Sequence, residues 1–239
     1  MGVRAIVGAQ QDERSGDVLR LRAQLERAQG RRLDAPVLPA HPALASLLPG
    51  GGLRTGAAYS LSSSASLLLA LLAPPSQAGS WCGVVGMPNF GAEAAESMGV
   101  ELPRLVLIPD PGDRWLAVTA TIAEVLPVVA VRPPRRAADA EVSRLAARLR
   151  DRGTVLLVQG PWPQTEASIG IEESQWSGLG PGHGYLAGRE VTVTVTSRRT
   201  PVARRGRVML PGADGAVSAI ERRVRETPLP EYQPLEAVG

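Results

Sequence analysis

Between residues 57 and 158 five short, unbroken apolar runs alternate with segments of helical period. This alternation constrains the fold more than any other feature of the chain. The runs lie at 57–61, 81–85, 104–108, 126–131 and 154–158. A strand that is apolar at every position is one buried on both faces, whereas a half-solvated strand alternates apolar with polar. Strands separated by helices cannot be hairpins and pair in parallel through crossovers. The expected fold is therefore α/β, with a mostly parallel sheet covered by helices on both faces.

Helices are expected at 64–72, 91–98, 114–125 and 137–150. The last is the clearest. Val142, Leu145, Ala146 and Leu149 fall at the three- and four-residue spacing of one apolar stripe, with arginines and acids opposite. Aromatic residues make up 3% of the 239-residue chain against 44% hydrophobic content, so the core has to be built from aliphatic side chains.

An additional helix is expected at 12–29, where Val18, Leu21, Leu25 and Ala28 make a narrow stripe. It either packs on its own domain or serves as an arm that docks on a partner. The run Pro49-Gly50-Gly51-Gly52 precedes the first core strand and reads as the turn leading into the core, since a phosphate cradle would follow that strand. Residues 161–184 are rich in Gly, Pro, Ser and Glu, and a long loop is expected there. Arg189 to Thr196 alternates Val with Thr, as an amphipathic strand does. A turn carrying Arg198, Arg199, Arg204 and Arg205 follows, then a return strand at 207–210. The proline-bearing end from Thr227 reads as a flexible tail. The expected organisation is an N-terminal helical arm (1–37), a core (38–188), a C-terminal hairpin and helix-like segment (189–226) and the tail (227–239).

Cys82 is the single cysteine, so no internal disulfide is available, which fits a reducing cytoplasm. The longest apolar stretch, residues 67–73, is far short of the ~20 residues that span a bilayer. No apolar signal segment opens the chain, and a soluble cytoplasmic protein is expected, with no membrane partner. His41 and His183 have no cysteine or carboxylate at metal-ligand spacing, and no metal site is expected. Ser62, Ser63, Ser64 and Ser66 lack the flanking glycines of a nucleophile elbow. Asp110 and Asp113 flank Pro111-Gly112 as turn residues do. No catalytic constellation emerges.

The stretch from about residue 40 to about residue 215 resembles the RecA superfamily, and within it the ImuA-type branch. The resemblance rests on Leu47-Leu48-Pro49-Gly50-Gly51-Gly52-Leu53-Arg54-Thr55-Gly56, then a strand, a serine-rich turn and a helix. The strand at 81–85, the segment from Met98 to Ile108, Thr154-Val155-Leu156-Leu157-Val158-Gln159 and Val208-Met209-Leu210-Pro211-Gly212 complete it. The order and spacing of these pieces carry the likeness more than any one of them.

Three departures from the family pattern bear on activity. The phosphate loop is replaced by Ser60-Leu61-Ser62-Ser63-Ser64-Ala65-Ser66-Leu67, without glycine or lysine. All 26 basic residues of the chain are arginine, so no lysine can reach the outer phosphates. The turn where the family carries a catalytic glutamate reads Gly86-Met87-Pro88-Asn89. The strand that should end in a magnesium-binding aspartate runs instead into Arg132-Pro133-Pro134, and an arginine there repels the ion. Only Gln159 of the nucleotide-sensing set is kept. The resemblance therefore implies an ATPase-like scaffold without the enzyme, and no cofactor is expected.

What remains is surface. The net charge is +3, too small an excess to imply nucleic acid by itself. Arginines cluster at Arg132, Arg135 and Arg136, around the C-terminal hairpin and at Arg222, Arg223 and Arg225. The candidate contacts with a partner or DNA are Leu21, Leu25, Arg198, Arg199, Arg204, Arg205 and Arg207. The resemblance implies an adaptor in DNA-damage-induced mutagenesis and translesion synthesis. Its partner would be an ImuB-type Y-family-like polymerase homologue, with an error-prone DnaE-type polymerase, RecA or DNA as further contacts. A DNA-binding protein of repair that works through its arginines, and an ATPase with an aberrant loop, are the alternatives.

Overall fold

In a computed structural model, residues 36–180, 183–198, 200–212 and 215–220 are described. The expected helix at 12–29, with Leu21 and Leu25, lies outside them. So do Arg199, Arg222, Arg223, Arg225 and the tail.

The described chain begins with β1 (Val37–Leu38), α1 (Pro42–Ala45) and β2 (Leu53–Arg54). The core then alternates through β3 (Ala58–Leu61), α2 (Ala65–Gln77), β4 (Cys82–Val85), α3 (Ala92–Ser97) and β5 (Leu105–Ile108). It continues through α4 (Trp115–Ile122), β6 (Val128–Val131), α5 (Asp139–Arg152) and β7 (Val155–Gln159). Four further strands close it: β8 (Ala167–Gly180), β9 (His183–Ser197), β10 (Thr200–Met209) and β11 (Ser218–Ala219). Strands β3 to β11 form one sheet in the order β11-β10-β9-β8-β3-β7-β6-β4-β5. From β8 to β5 every neighbouring pair is parallel. From β8 to β11 every pair is antiparallel.

The alternation that makes the parallel strands apolar throughout is visible residue by residue. In β6, Val128 and Ala130 face one core while Val129 and Val131 face the other. In β7, Val155 and Leu157 join the first core and Leu156 and Val158 the second. The first core is roofed by Leu44, Leu47 and Leu48 around α1 and by the leucines of α2. The second is roofed by Trp115 of α4 and by Val142, Leu145 and Leu149 of α5. Where α4 crosses β4 the backbone is at Gly83, and a Cβ there would lie 2.9 Å from Ile122. α5 starts with the Ala138 amide donating to the Glu141 carboxylate at 3.0 Å and ends at Gly153 in the left-handed region.

Two local expectations are corrected. The helix after the serine turn does not stop before Pro74 but runs to Gln77, with Pro74 and Pro75 inside it. Nine of its residues are buried, and the turn closes beyond the prolines through Ala78 N–H to Pro74 O. Burial of a leucine-rich helix offsets the lost amide donors here. The segment at 161–184 is not a long loop. Its greater part is β8, paired with β3 through residues 167–169 and with β9 along its length. Pro161 and Pro163 precede β8 in sequence and Pro181 follows it, and the glycines and serines from Ser168 to Gly180 that suggested a loop lie on the strand instead.

Candidate functional site

The site where a RecA-like domain would hold phosphates is the turn between β3 and α2. Here the turn is filled by its own hydrogen bonds. The Ser62 amide donates to Ile169 O at 3.0 Å and the Ser64 amide to Ser62 O at 2.7 Å. Ser64 caps α2, its hydroxyl accepting from the Leu67 amide at 3.3 Å. Gln159, at the end of β7, donates to Ser64 O at 3.3 Å and is buried. Three of the amides that a phosphate cradle would offer, those of Ser62, Ser64 and Leu67, are thus committed within the protein.

Beside this turn lies an open cleft of about 610 Å³. Hydroxyl side chains line it, among them Ser60, Ser62, Ser168 and Thr194, and the Trp162 ring borders it. Among the described residues its one charged lining residue is Glu172, and that carboxylate is already paired with Arg205. A triphosphate placed here would meet a carboxylate and no unpaired cation of the described lining. The Ser62 hydroxyl is buried without a partner, while Ser60 donates to Gly160 O at 2.7 Å.

The neighbouring turns follow the same pattern. After β4, Gly86 sits at φ +74°, and a Cβ would come within 2.8 Å of Arg132 O. Gly86 N–H bonds Ile108 O and Arg132 N–H bonds Val85 O, so the turn ties three strand ends together. Arg132, Arg135 and Arg136 are all exposed. Arg136 approaches Asp139 at 3.9 Å.

The C-terminal arginines do not form the cluster expected from their spacing. Arg204 and Arg205 lie on β10, not in a turn, and the pleat sends them to opposite faces. Arg204 donates to Leu48 O at 3.2 Å. Arg205 makes a two-pronged contact with Glu172 at 3.1 and 3.3 Å. That guanidinium holds the Glu172 carboxyl below its usual range, and Glu172 in turn raises Arg205. Arg207 pairs with Glu190. Arg198 stands exposed at the β9–β10 turn. Two of the candidate cations are therefore neutralised by carboxylates of the adjoining strands.

Several contributors had weak or no sequence signal. Trp162 sits in the second core, edge-on to Trp115 at 6.4 Å, although its neighbours read as loop. Arg54 is buried beside Glu166 at 3.9 Å, and its amide donates to the Tyr59 hydroxyl at 2.8 Å. The first contact joins residues far apart in sequence, whereas the second closes over five residues. Cys82 is fully buried and its thiol is pushed up to about 12 by that burial. Among the described residues no group of His, Cys, Asp and Glu could hold a metal ion. No described helix is long and apolar enough to cross a membrane.

The residues that build these turns fall within a region shared with other proteins. The uncharacterized protein Rv3395c of Mycobacterium tuberculosis (strain ATCC 25618 / H37Rv) is 38% identical over 120 residues, which is 48% of this chain. The chain spans about 59% of the length of that relative. Residues 46–164 match the family model described as MT3502 N-terminal domain. These residues run from α1 through all five parallel core strands to the approach of β8. Over these residues the chain is similar to the MT3502 N-terminal domain family, which is consistent with an ImuA-type protein.

Proposed function

We propose that the chain is a catalytically silent RecA-like adaptor in DNA-damage-induced mutagenesis and translesion synthesis. In this reading it binds an ImuB-type Y-family-like polymerase homologue, and through it an error-prone DnaE-type polymerase, RecA or DNA. The observation that carries the reading is the β3–α2 turn. Its amides at Ser62, Ser64 and Leu67 are committed internally, and the described lining of the cleft beside it holds no charged group but Glu172, which Arg205 already pairs. The pairing of Arg205 and Arg207 with glutamates favours protein contact over direct DNA binding, since affinity for a duplex rests on several free cations.

The test has two arms. Magnesium-ATP at saturating concentration should leave the melting temperature unchanged, whereas a ligand at about 100 times its dissociation constant stabilises by about 2.7 kcal/mol. A purified ImuB-type partner should co-elute with the full chain. A melting shift abolished by substitutions at Ser62 and Ser64 would refute the silent-scaffold half, and failure to co-elute would refute the adaptor half.

A further inference from the structure

The sheet has one part that no other described element covers. β10 pairs with β9 up to Met209 opposite Glu190, and Leu210 and Pro211 extend the backbone bonding to Arg189. On the other side β3 pairs with β8 up to Leu61 opposite Ile169. Past these limits β8 and β9 pair only with each other, Trp176 opposite Arg189 and Ser177 opposite Gly188. The hairpin thus overhangs the core as a two-stranded ribbon.

The pleat decides what the overhang presents. Val195, Val193 and Val191 point into the first core and are almost wholly buried. A two-residue step along the same strand places Arg189 on that face, and Trp176 joins it as the cross-strand neighbour of Arg189. The face that is packed under leucines elsewhere carries, on the overhang, a half-exposed Trp176, and beyond the register shift that follows Ser177, Tyr185 is 91% exposed. The Arg189 guanidinium lies 5.6 Å from the Trp176 ring centroid, and its Nε donates to the Ser174 hydroxyl at 2.7 Å. That leaves the two terminal amino groups of the fork for a ligand.

Charge separates the possible ligands. The glutamates of the hairpin are on the opposite face: Glu172 with Arg205, Glu173 with Thr192, and Glu190 with Arg207. The aromatic face of the overhang therefore carries one cation and no carboxylate among the described residues. One arginine fork matches one carboxylate. It is too little for a nucleic-acid strand, which needs a track of cations along its phosphates.

We propose that the overhanging face of the β8–β9 hairpin docks an acidic–apolar peptide segment of a partner protein. Arg189 takes a side-chain carboxylate, and Trp176 and Tyr185 take the apolar residues beside it. Two flat aromatic rings provide contact area at small conformational cost, as at other protein interfaces. The proposal adds a location and a ligand chemistry to the adaptor reading, but its test does not depend on that reading.

The test titrates the full-length chain with four labelled probes. Three are short peptides sharing the same Leu and Phe residues and carrying Asp/Glu, Lys or Ser between them; the fourth is a thymidine oligonucleotide. The unaltered chain should bind the acidic peptide about ten-fold more tightly than the basic one. Trp176→Ser should weaken the acidic peptide by about ten-fold. Arg189→Glu should reverse the preference in favour of the basic peptide. A folded core, checked by its melting temperature, and unchanged binding by Val125→Ser, on a distant connection, complete the expected pattern. Equal affinity for the acidic and basic peptides, a preference that survives Arg189→Glu, or tighter binding of the oligonucleotide lost in Arg189→Glu would each overturn the proposal. If the reversal occurs while the ImuB-type partner fails to co-elute, the docking face stands and only the identity of the partner falls.

Discussion

Arg204 and Arg205 are neighbours in the chain but serve opposite sides of the sheet. One donates to the Leu48 carbonyl at 3.2 Å beneath the first core, and the other grips Glu172 at 3.1 Å on the cleft side. A paired charge reversal therefore mixes two different experiments. Arg204→Glu would set a carboxylate against a carbonyl oxygen, whereas Arg205→Glu would set it against Glu172. The double swap Arg205→Glu with Glu172→Arg should recover the melting temperature lost by Arg205→Glu. No swap at Glu172 should recover Arg204→Glu. Thermal melts of the five proteins check this.

The same pair gives a pH dependence with a defined sign. Glu172 titrates lower in the folded chain than in the unfolded one, chiefly through its hydrogen bond from Arg205. Its contribution is therefore present above the ordinary carboxylate range and is lost as pH falls through the depressed folded value. Melts of the unaltered chain and of Arg205→Met should differ at neutral pH and converge as the solution becomes strongly acidic. A gap of constant size across that range would exclude the linkage. Both groups are exposed, so the gap should also shrink with salt.

Gln159 holds the serine turn rather than a nucleotide. Gln159→Ala removes one of two donors to the Ser64 carbonyl, the Leu68 amide being the other, and should destabilise by about 0.5–1.5 kcal/mol. Urea denaturation in the presence and absence of magnesium-ATP would show the same loss in both. A loss that ATP reverses would show that the residue touches the ligand.

Gly86→Ala meets two obstacles at once, a positive φ and a Cβ within 2.8 Å of Arg132 O. A strained backbone of this kind costs on the order of 1–3 kcal/mol. The melting temperature should fall, and Gly160→Ala, which has no atom within 4 Å of its Cβ, should cost less because only its φ of +115° opposes it.

Truncation after residue 199 should unfold more than a surface hairpin. Val208 and Leu210 are buried at 1% and 0% exposure in the first core. Each fully buried aliphatic side chain contributes about 1.5–3 kcal/mol. A truncated chain should show a lowered urea midpoint, so loss of partner binding by it would not locate an interface.

Cys82 should be silent to thiol reagents in the native protein. Its thiol is buried and raised to about 12, and only the thiolate reacts. Its modification rate should follow the unfolding rate as urea is added. Rapid reaction without denaturant would contradict the burial.

The sequence by itself determined the parallel half of this protein. Runs such as Val128 to Val131 must be buried on both sides because every residue in them is apolar, and a segment with the 3.6-residue stripe of Val142, Leu145 and Leu149 must cover one of those sides. It also determined that no lysine could meet a phosphate, since none exists in the chain. Only the tertiary structure decided that residues 167–180 form a strand. Glycine, serine and glutamate have weak strand preference of their own, and pairing with Tyr59 to Leu61 on one side and β9 on the other overrides it. The structure alone decided the meaning of the arginines as well. Their spacing in sequence gives a cluster, but a pleat of period two and the carboxylates on neighbouring strands divide that cluster between two faces and neutralise Arg205 and Arg207, leaving Arg189 as the cation beside exposed aromatic rings.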